Sequence, residues 1–388
     1  MPKWDVMHGS RAVAEAVRLA GVDVIAAYPI TPQTHIVEDT AKMVADGEIK
    51  AEYVKVESEH SAMSVVIGAC GTGARVFTAT SSQGLALMFE MLFVASGMRL
   101  PVVMVNANRA LSAPISIWND QQDSISVRDS GWIQLYVETN QEALDTTLMA
   151  YRIAEDERVQ LPVMICMDGF VLTHTVEPVE IPDEEDVKRF LPPYRPKVYL
   201  DPRDPMALGP IAFPNIYMEL RNEQQKAMEQ ALDVIRKVND EFKEVFGRGY
   251  GNGLVEEFNM DGAETVIVTI GSVAGTFKDV IEEEHPDVGL LRVKSFRPLP
   301  KDDLRRALSK AKVVGVLEKD VSIGLGKGAL ASEVRDVMYG AGRQPRILSF
   351  IAGLGGRDIG IDSVREVISR CKKAHEDGAG DVHWIDLK

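Results

Sequence analysis

The sequence predicts an α/β protein built from two doubly wound, mainly parallel sheets. Three observations carry this reading. Short β-branched or apolar runs alternate with segments of helical period over about the first 170 residues. A proline-rich stretch then breaks the pattern, and the same alternation returns on a smaller scale over about the last 130 residues. A chain of 388 residues is long enough for two or more domains, each with its own core.

Taken in order, the runs at 22–28, 53–56, 75–80, 101–106, 135–137 and 162–167 read as strands buried on both faces. Their apolar residues occupy consecutive rather than alternate positions. Helices fit 11–19, 35–45, 60–70, 83–96 and 141–155 between them. Ser10 is placed to cap the first, whose Val13, Ala16, Val17 and Ala20 share one face. Nine of the 19 prolines then fall from Pro178 to Pro214. Helix interiors and central strands do not tolerate that density, so this stretch reads as an extended crossover. Phe190, Leu191, Tyr194, Tyr199 and Leu200 would pack it down. A long helix over 222–246 follows, with Ala227, Ala231, Val234, Ile235, Val238, Phe242 and Val245 on one stripe. Gly247, Gly249, Gly251 and Gly253 stop it. Strands at 265–270, 289–293, 313–317 and 346–351, with helices over 274–283, 301–310 and 328–339, complete a second unit. The expected boundaries are 1–177, 178–254 and 255–388.

Composition narrows the function. The 58 acidic residues outnumber 43 basic ones, and a net charge of −15 repels phosphate backbones, so nucleic acid is not an expected partner. No apolar run is long enough to span a bilayer, since 85–98 is interrupted by Glu90. The N-terminus lacks the order of a signal peptide, and a soluble, cytoplasmic chain is expected. Cys70, Cys166 and Cys371 are far apart with no CxxC pair, so no iron–sulfur or zinc site is expected in this chain, and Cys70 and Cys166, in apolar contexts, read as buried thiols.

Ligands of parallel sheets bind beyond the carboxyl ends of the strands, so the residues following each strand are the candidates. The first strand delivers Tyr28-Pro29-Ile30-Thr31-Pro32, a rigid turn that presents a hydroxyl. The second delivers Glu57-Ser58-Glu59-His60-Ser61. The third delivers Thr80-Ser81-Ser82-Gln83-Gly84, and the fourth Asn106-Ala107-Asn108-Arg109. The polar loop Trp118–Asp123 follows. Each residue has a plainer reading. Glu59 suits a helix dipole, Thr31 a turn, His60 a structural hydrogen bond, and Arg109 a staple to Asp120 or Asp123. Their gathering at one sheet edge favours a site. In the second unit, loops at 271–272, 322–328 and 353–358 are glycine-rich. They match neither GxGxxG with a downstream acid nor GxxxxGK[ST], so tight turns and interface packing are the expected role.

With the 28–34 turn, 57–62, 80–84, 108–110, 118–123, Asp168-Gly169-Phe170, 295–300 and 353–358 in view, the chain resembles the α subunits of 2-oxoacid:ferredoxin oxidoreductases. The pyruvate-using branch is the nearest likeness. The resemblance implies a thiamine diphosphate pyrimidine-binding domain followed by a domain like the C-terminal domain of transketolases. It implies that Glu59 holds N1′ of the aminopyrimidine, that Pro29, Ile30, Ser81 and Ser82 contact the cofactor, and that Thr31 and Arg109 bind the substrate carboxylate. It places the diphosphate and Mg²⁺ in a β subunit and the [4Fe-4S] clusters in partner subunits, with γ and ferredoxin-like δ subunits or domains among the partners and no metal in this chain. Asp168-Gly169-Phe170 does not match the Gly-Asp-Gly that opens the thiamine metal motif, which agrees. The implied reaction oxidises pyruvate with coenzyme A to acetyl-CoA and CO₂ and reduces ferredoxin. Related subunits act on 2-oxoisovalerate, 2-oxoglutarate or oxalate. A nicotinamide-dependent dehydrogenase and a non-catalytic scaffold subunit are the more distant alternatives.

Overall fold

The computed structural model describes residues 3–342, 344–374 and 381–388. Strands run β1 (Lys3–His8), β2 (Val24–Ala26), β3 (Glu52–Val54), β4 (Val76–Thr80), β5 (Val103–Asn108), β6 (Ile133–Tyr136), β7 (Val163–Asp168), β8 (Val176–Ile181), β9 (Val255–Phe258), β10 (Thr265–Thr269), β11 (Val288–Val293), β12 (Ser295–Arg297), β13 (Val313–Glu318), β14 (Arg346–Ile351) and β15 (Val382–Trp384). A larger sheet is ordered β12-β6-β7-β5-β4-β2-β3, and a smaller one β15-β14-β13-β10-β11-β9. Both are parallel except where β12 lies antiparallel to β6 and β9 antiparallel to β11. The expected architecture of two mainly parallel sheets is what forms.

The uninterrupted apolar strands follow from helices covering both faces. In β5, Val103, Val105 and Ala107 enter one core with the helices Gly9–Ala20, Asn140–Ala154 and Tyr217–Phe246. Met104, pointing the other way, enters a second core with Met63 and Leu92. That second core also takes Val266, Val268, Leu291 and Val293 from the smaller sheet, so one apolar layer joins the two sheets. Ile267 and Leu290, on the outer face of the smaller sheet, pack with Phe277 and Val367 in a third core.

Several local expectations are corrected. The first helix begins at Gly9, and its cap is His8, whose Nδ1 accepts from the Arg11 amide at 3.1 Å. Ser10 lies inside the helix and donates to the Thr173 carbonyl. The stretch from 178 is not wholly extended. Pro178 sits in β8, which pairs only with β1 in a two-stranded ribbon. A helix then forms over Glu184–Phe190, where Asp183 caps, acids fill the first turn, and Lys188 and Arg189 fill the last. The long helix starts at Tyr217 and ends at Gly247, whose φ of +73° gives the left-handed C-terminal turn. No helix among the described residues is long and apolar enough to cross a membrane.

Candidate functional site

β5, β4, β2 and β3 are consecutive neighbours in a parallel sheet, so their carboxyl ends share one edge. The four polar segments picked from sequence therefore meet physically.

Glu59 opens the helix Glu59–Gly71, behind the cap Ser58, whose hydroxyl accepts from the Ser61 amide. It is 7% exposed, and its carboxylate makes no hydrogen bond among the described residues. Such a group is costly to bury without a partner, which points to one supplied from outside. It is pressed against Gly84: a Cβ there would sit 2.7 Å from Glu59 Oε1 and 2.5 Å from Thr80 Oγ1. Thr80 Oγ1 and Gln83 Nε2 are also buried without partners. A carboxylate and a hydroxyl thus lie unengaged around a glycine that keeps the space open, and the Gln83 amide precedes it in the chain. His60 is half-buried beside them, and its carbonyl accepts from Ser64.

Thr31 and Arg109 are brought together, but through the backbone. Arg109 Nη1 donates to the Thr31 carbonyl at 2.8 Å, and its Nε to the Ser116 carbonyl at 3.0 Å. The expected staple to Asp120 or Asp123 does not involve the guanidinium. Only the Arg109 amide reaches Asp123, at 3.1 Å. Nη2 is left without a hydrogen bond. Burial pulls the guanidinium pKa down, and Asp123 opposes this at a distance, yet an arginine keeps its charge. The Thr31 hydroxyl is exposed and unengaged. Pro29 is exposed on the same turn.

Ser81 and Ser82 are fully buried, and both hydroxyls are occupied. Ser81 donates to the Ala107 carbonyl at 2.7 Å and Ser82 to the Ala110 carbonyl at 2.5 Å. They tie the end of β4 to that of β5. Ser82 does this with a φ of +48°.

Sequence reasoning missed two organising residues. Gln33 is fully buried, accepts from the Ile30 amide at 3.2 Å and donates to the Ala79 carbonyl at 2.7 Å, fixing the 28–34 turn to β4. Asp123 was read only as an alternative staple for Arg109. Its carboxylate accepts from the Ser82 amide, Asn106 Nδ2, Asn108 Nδ2, the Arg109 amide and the Ser124 amide, all within 3.1 Å. Complete burial raises its pKa, and these donors oppose the rise. Asp168, at the end of β7, links the sheets: it accepts from Gln121, Ser272 and Lys319 at 3.0, 2.5 and 3.0 Å. Burial would raise its pKa, but Lys319 and Ser272 outweigh burial and lower it. Asp120 holds the Gly355 amide at 3.1 Å, and burial, then Asp123, push its carboxyl up to about 7. Cys70 and Cys166 are buried free thiols, as expected, and so is Cys371. No group of three or more His, Cys, Asp or Glu among the described residues could hold a metal ion.

Residues 15–240 match the family model described as pyruvate flavodoxin/ferredoxin oxidoreductase, thiamine diphosphate-binding. Residues 263–364 match pyruvate:ferredoxin oxidoreductase core domain II. The chain is 58% identical to pyruvate synthase subunit PorA of Methanocaldococcus jannaschii, over 99% of this chain and 98% of that one. It is 46% identical to ketoisovalerate oxidoreductase subunit VorA of Pyrococcus horikoshii, over 100% and 99%. In fold it is similar to the 2-oxoglutarate:ferredoxin oxidoreductase of Magnetococcus marinus, with a TM-score of 0.73 at 23% identity, over 94% of this chain and 65% of that one. On its full-length likeness and its two matched models, the chain belongs to the pyruvate flavodoxin/ferredoxin oxidoreductase family.

Proposed function

We propose that this chain is the α subunit of a multi-subunit pyruvate:ferredoxin oxidoreductase, which forms acetyl-CoA and CO₂ from pyruvate and coenzyme A and reduces ferredoxin, reversibly. The observation that carries the reading is Glu59, mostly buried and without a hydrogen-bond partner among the described residues, against Gly84. The full-length identity to pyruvate synthase subunits supports the substrate.

The residues fit thiamine diphosphate. When bound, it supplies the nucleophilic carbon and electron sink for decarboxylating a 2-oxoacid. Glu59 would hold the proton at the pyrimidine N1′, and Thr80 and Gln83 offer the nearby polar atoms that lack partners. Ser81 and Ser82 form the wall behind them, and Pro29 and Ile30 the turn beside them. Arg109 and Thr31 would take the substrate carboxylate. Arg109 suits this because carbonyls, not carboxylates, orient it, so its charge is not neutralised by contact. The diphosphate, Mg²⁺ and clusters fall to β, γ and δ partners. The units 1–177, 178–254 and 255–388 then act as pyrimidine-binding domain, crossover with connecting helix, and transketolase C-terminal-like domain.

The test is anaerobic purification of the complex and viologen reduction with a panel of 2-oxoacids, with and without coenzyme A. Pyruvate should give the highest kcat/KM, and Glu59→Gln should lower turnover by at least about 100-fold. Wild-type turnover in that variant would falsify the role of Glu59. The 46% identity to a ketoisovalerate oxidoreductase subunit favours 2-oxoisovalerate as a second reading, and a higher kcat/KM for it would displace pyruvate.

A further inference from the structure

A separate cavity of about 560 Å³ lies beneath the proline-rich crossover, in the size range of sites that enclose small organic ligands. Leu100, Pro101, Leu191, Pro193, Tyr194 and Leu208 give it apolar walls. Cys70, from the last turn of the helix that begins at Glu59, also lines it, so the two sites lie toward opposite ends of that helix.

Its charges do not cancel. Arg99, Arg152, Arg195 and Lys197 line it with only Glu155 and Glu157. Glu155 is held by Arg75 through two bonds of 2.7 Å, and Glu157 by Lys197 at 2.5 Å. Arg152 lies 3.7 Å from Glu241. Arg99 donates to the carbonyls of Gln160 and Val159 at 3.1 and 2.6 Å, which leaves Nη1 free and no carboxylate in contact. Arg195 forms no ion pair among the described residues.

The backbone is also unusual here. Arg99 has a φ of +58° and Gln160 a φ of +43°, and both line the cavity. Long side chains rarely adopt this conformation, and such strain collects at ligand sites. Ser82 and Phe170, two of the other described non-glycine residues with positive φ, lie beside the site already described.

We propose that this cavity binds an amphipathic monocarboxylate, with an acyl or aryl body against the apolar walls and its head at Arg99 and Arg195. Glu155 and Glu157 are already engaged and Glu223 offsets Arg99 from a distance, so the two guanidinium groups suit one negative charge better than two.

Equilibrium dialysis of the intact complex with radiolabelled octanoate, at saturating 2-oxoacid substrate, tests this. One octanoate should bind per α chain. Arg195→Ala should weaken it about tenfold, and Leu208→Trp, which fills the cavity, should abolish it while turnover is kept. Octanol and octyltrimethylammonium should not compete. If Leu208→Trp loses turnover through misfolding, Arg195→Ala decides, since that side chain makes no hydrogen bond or ion pair among the described residues. No saturable binding, displacement by the 2-oxoacid, equal competition by octanol, or unchanged affinity in Arg195→Ala overturns the proposal.

Discussion

Glu59 is defined as much by a missing atom as by its own carboxylate. The Cβ that Gly84 lacks would fall within 2.8 Å of three atoms of Thr80 and Glu59. Gly84→Ala must therefore push the carboxylate aside. Overpacking of this kind costs about 1–3 kcal/mol, so the variant should fold with a lowered Tm. Its turnover should fall more than tenfold, because the displaced group is the one proposed to hold the proton. Turnover within twofold of wild type would show that the contact is not functional. Arg109 illustrates the same economy of contacts. Two carbonyls aim it without neutralising it, an arrangement that a carboxylate partner would have spoiled.

At the scale of elements, the site is held by one acid in the short helix Gln122–Ser126. Asp123 gathers five N–H donors from the ends of β4 and β5 and from its own loop. Asp123→Ala would leave them buried and unsatisfied, a loss of more than about 3 kcal/mol. Urea unfolding should read it as a lowered midpoint. A midpoint within error of wild type would mean that water or a neighbour replaces the carboxylate. The strands around it were legible in the sequence, since burial on both faces writes itself as an unbroken apolar run. The strand ends were legible too, because parallel topology sends them to one edge. Gln33 and Asp123 were not, because a buried polar residue that serves backbone groups has no period and no spacing. Nor were β9, β12 and β1. Strands of three or four residues, or ones half exposed, take their shape from a partner that local sequence does not name. The helix Glu184–Phe190 was hidden by the prolines on either side of it, although its capping acid and charge order were present.

For the whole molecule, the decisive contacts are those between the sheets. Glu142, fully buried, accepts from Arg292 at 2.7 and 3.1 Å and from Lys294 at 2.5 Å. Burial alone would raise its pKa, but Arg292 and Lys294 outweigh burial and hold it at about 2, below its ordinary 4.5. A depressed folded-state pKa contributes stability that is present above about pH 4.5 and lost as pH falls toward 2. Glu142→Gln should leave two buried cations short of a partner and cost about 3–5 kcal/mol at neutral pH. The loss should shrink as pH drops through that window, and an equal loss at pH 3 and pH 7 would refute the coupling. The strand β12 ties the molecule together in another way. It comes from the chain's second half yet pairs with β6 as the outermost member of the first sheet. A fragment ending at residue 254 would therefore leave β6, with Ile133, Leu135 and Tyr136, as a bare edge offering unpaired amides and carbonyls beside buried apolar side chains. Such an edge recruits other copies of itself, so the fragment should self-associate on expression, and co-expression with residues 255–388 should return it to solution.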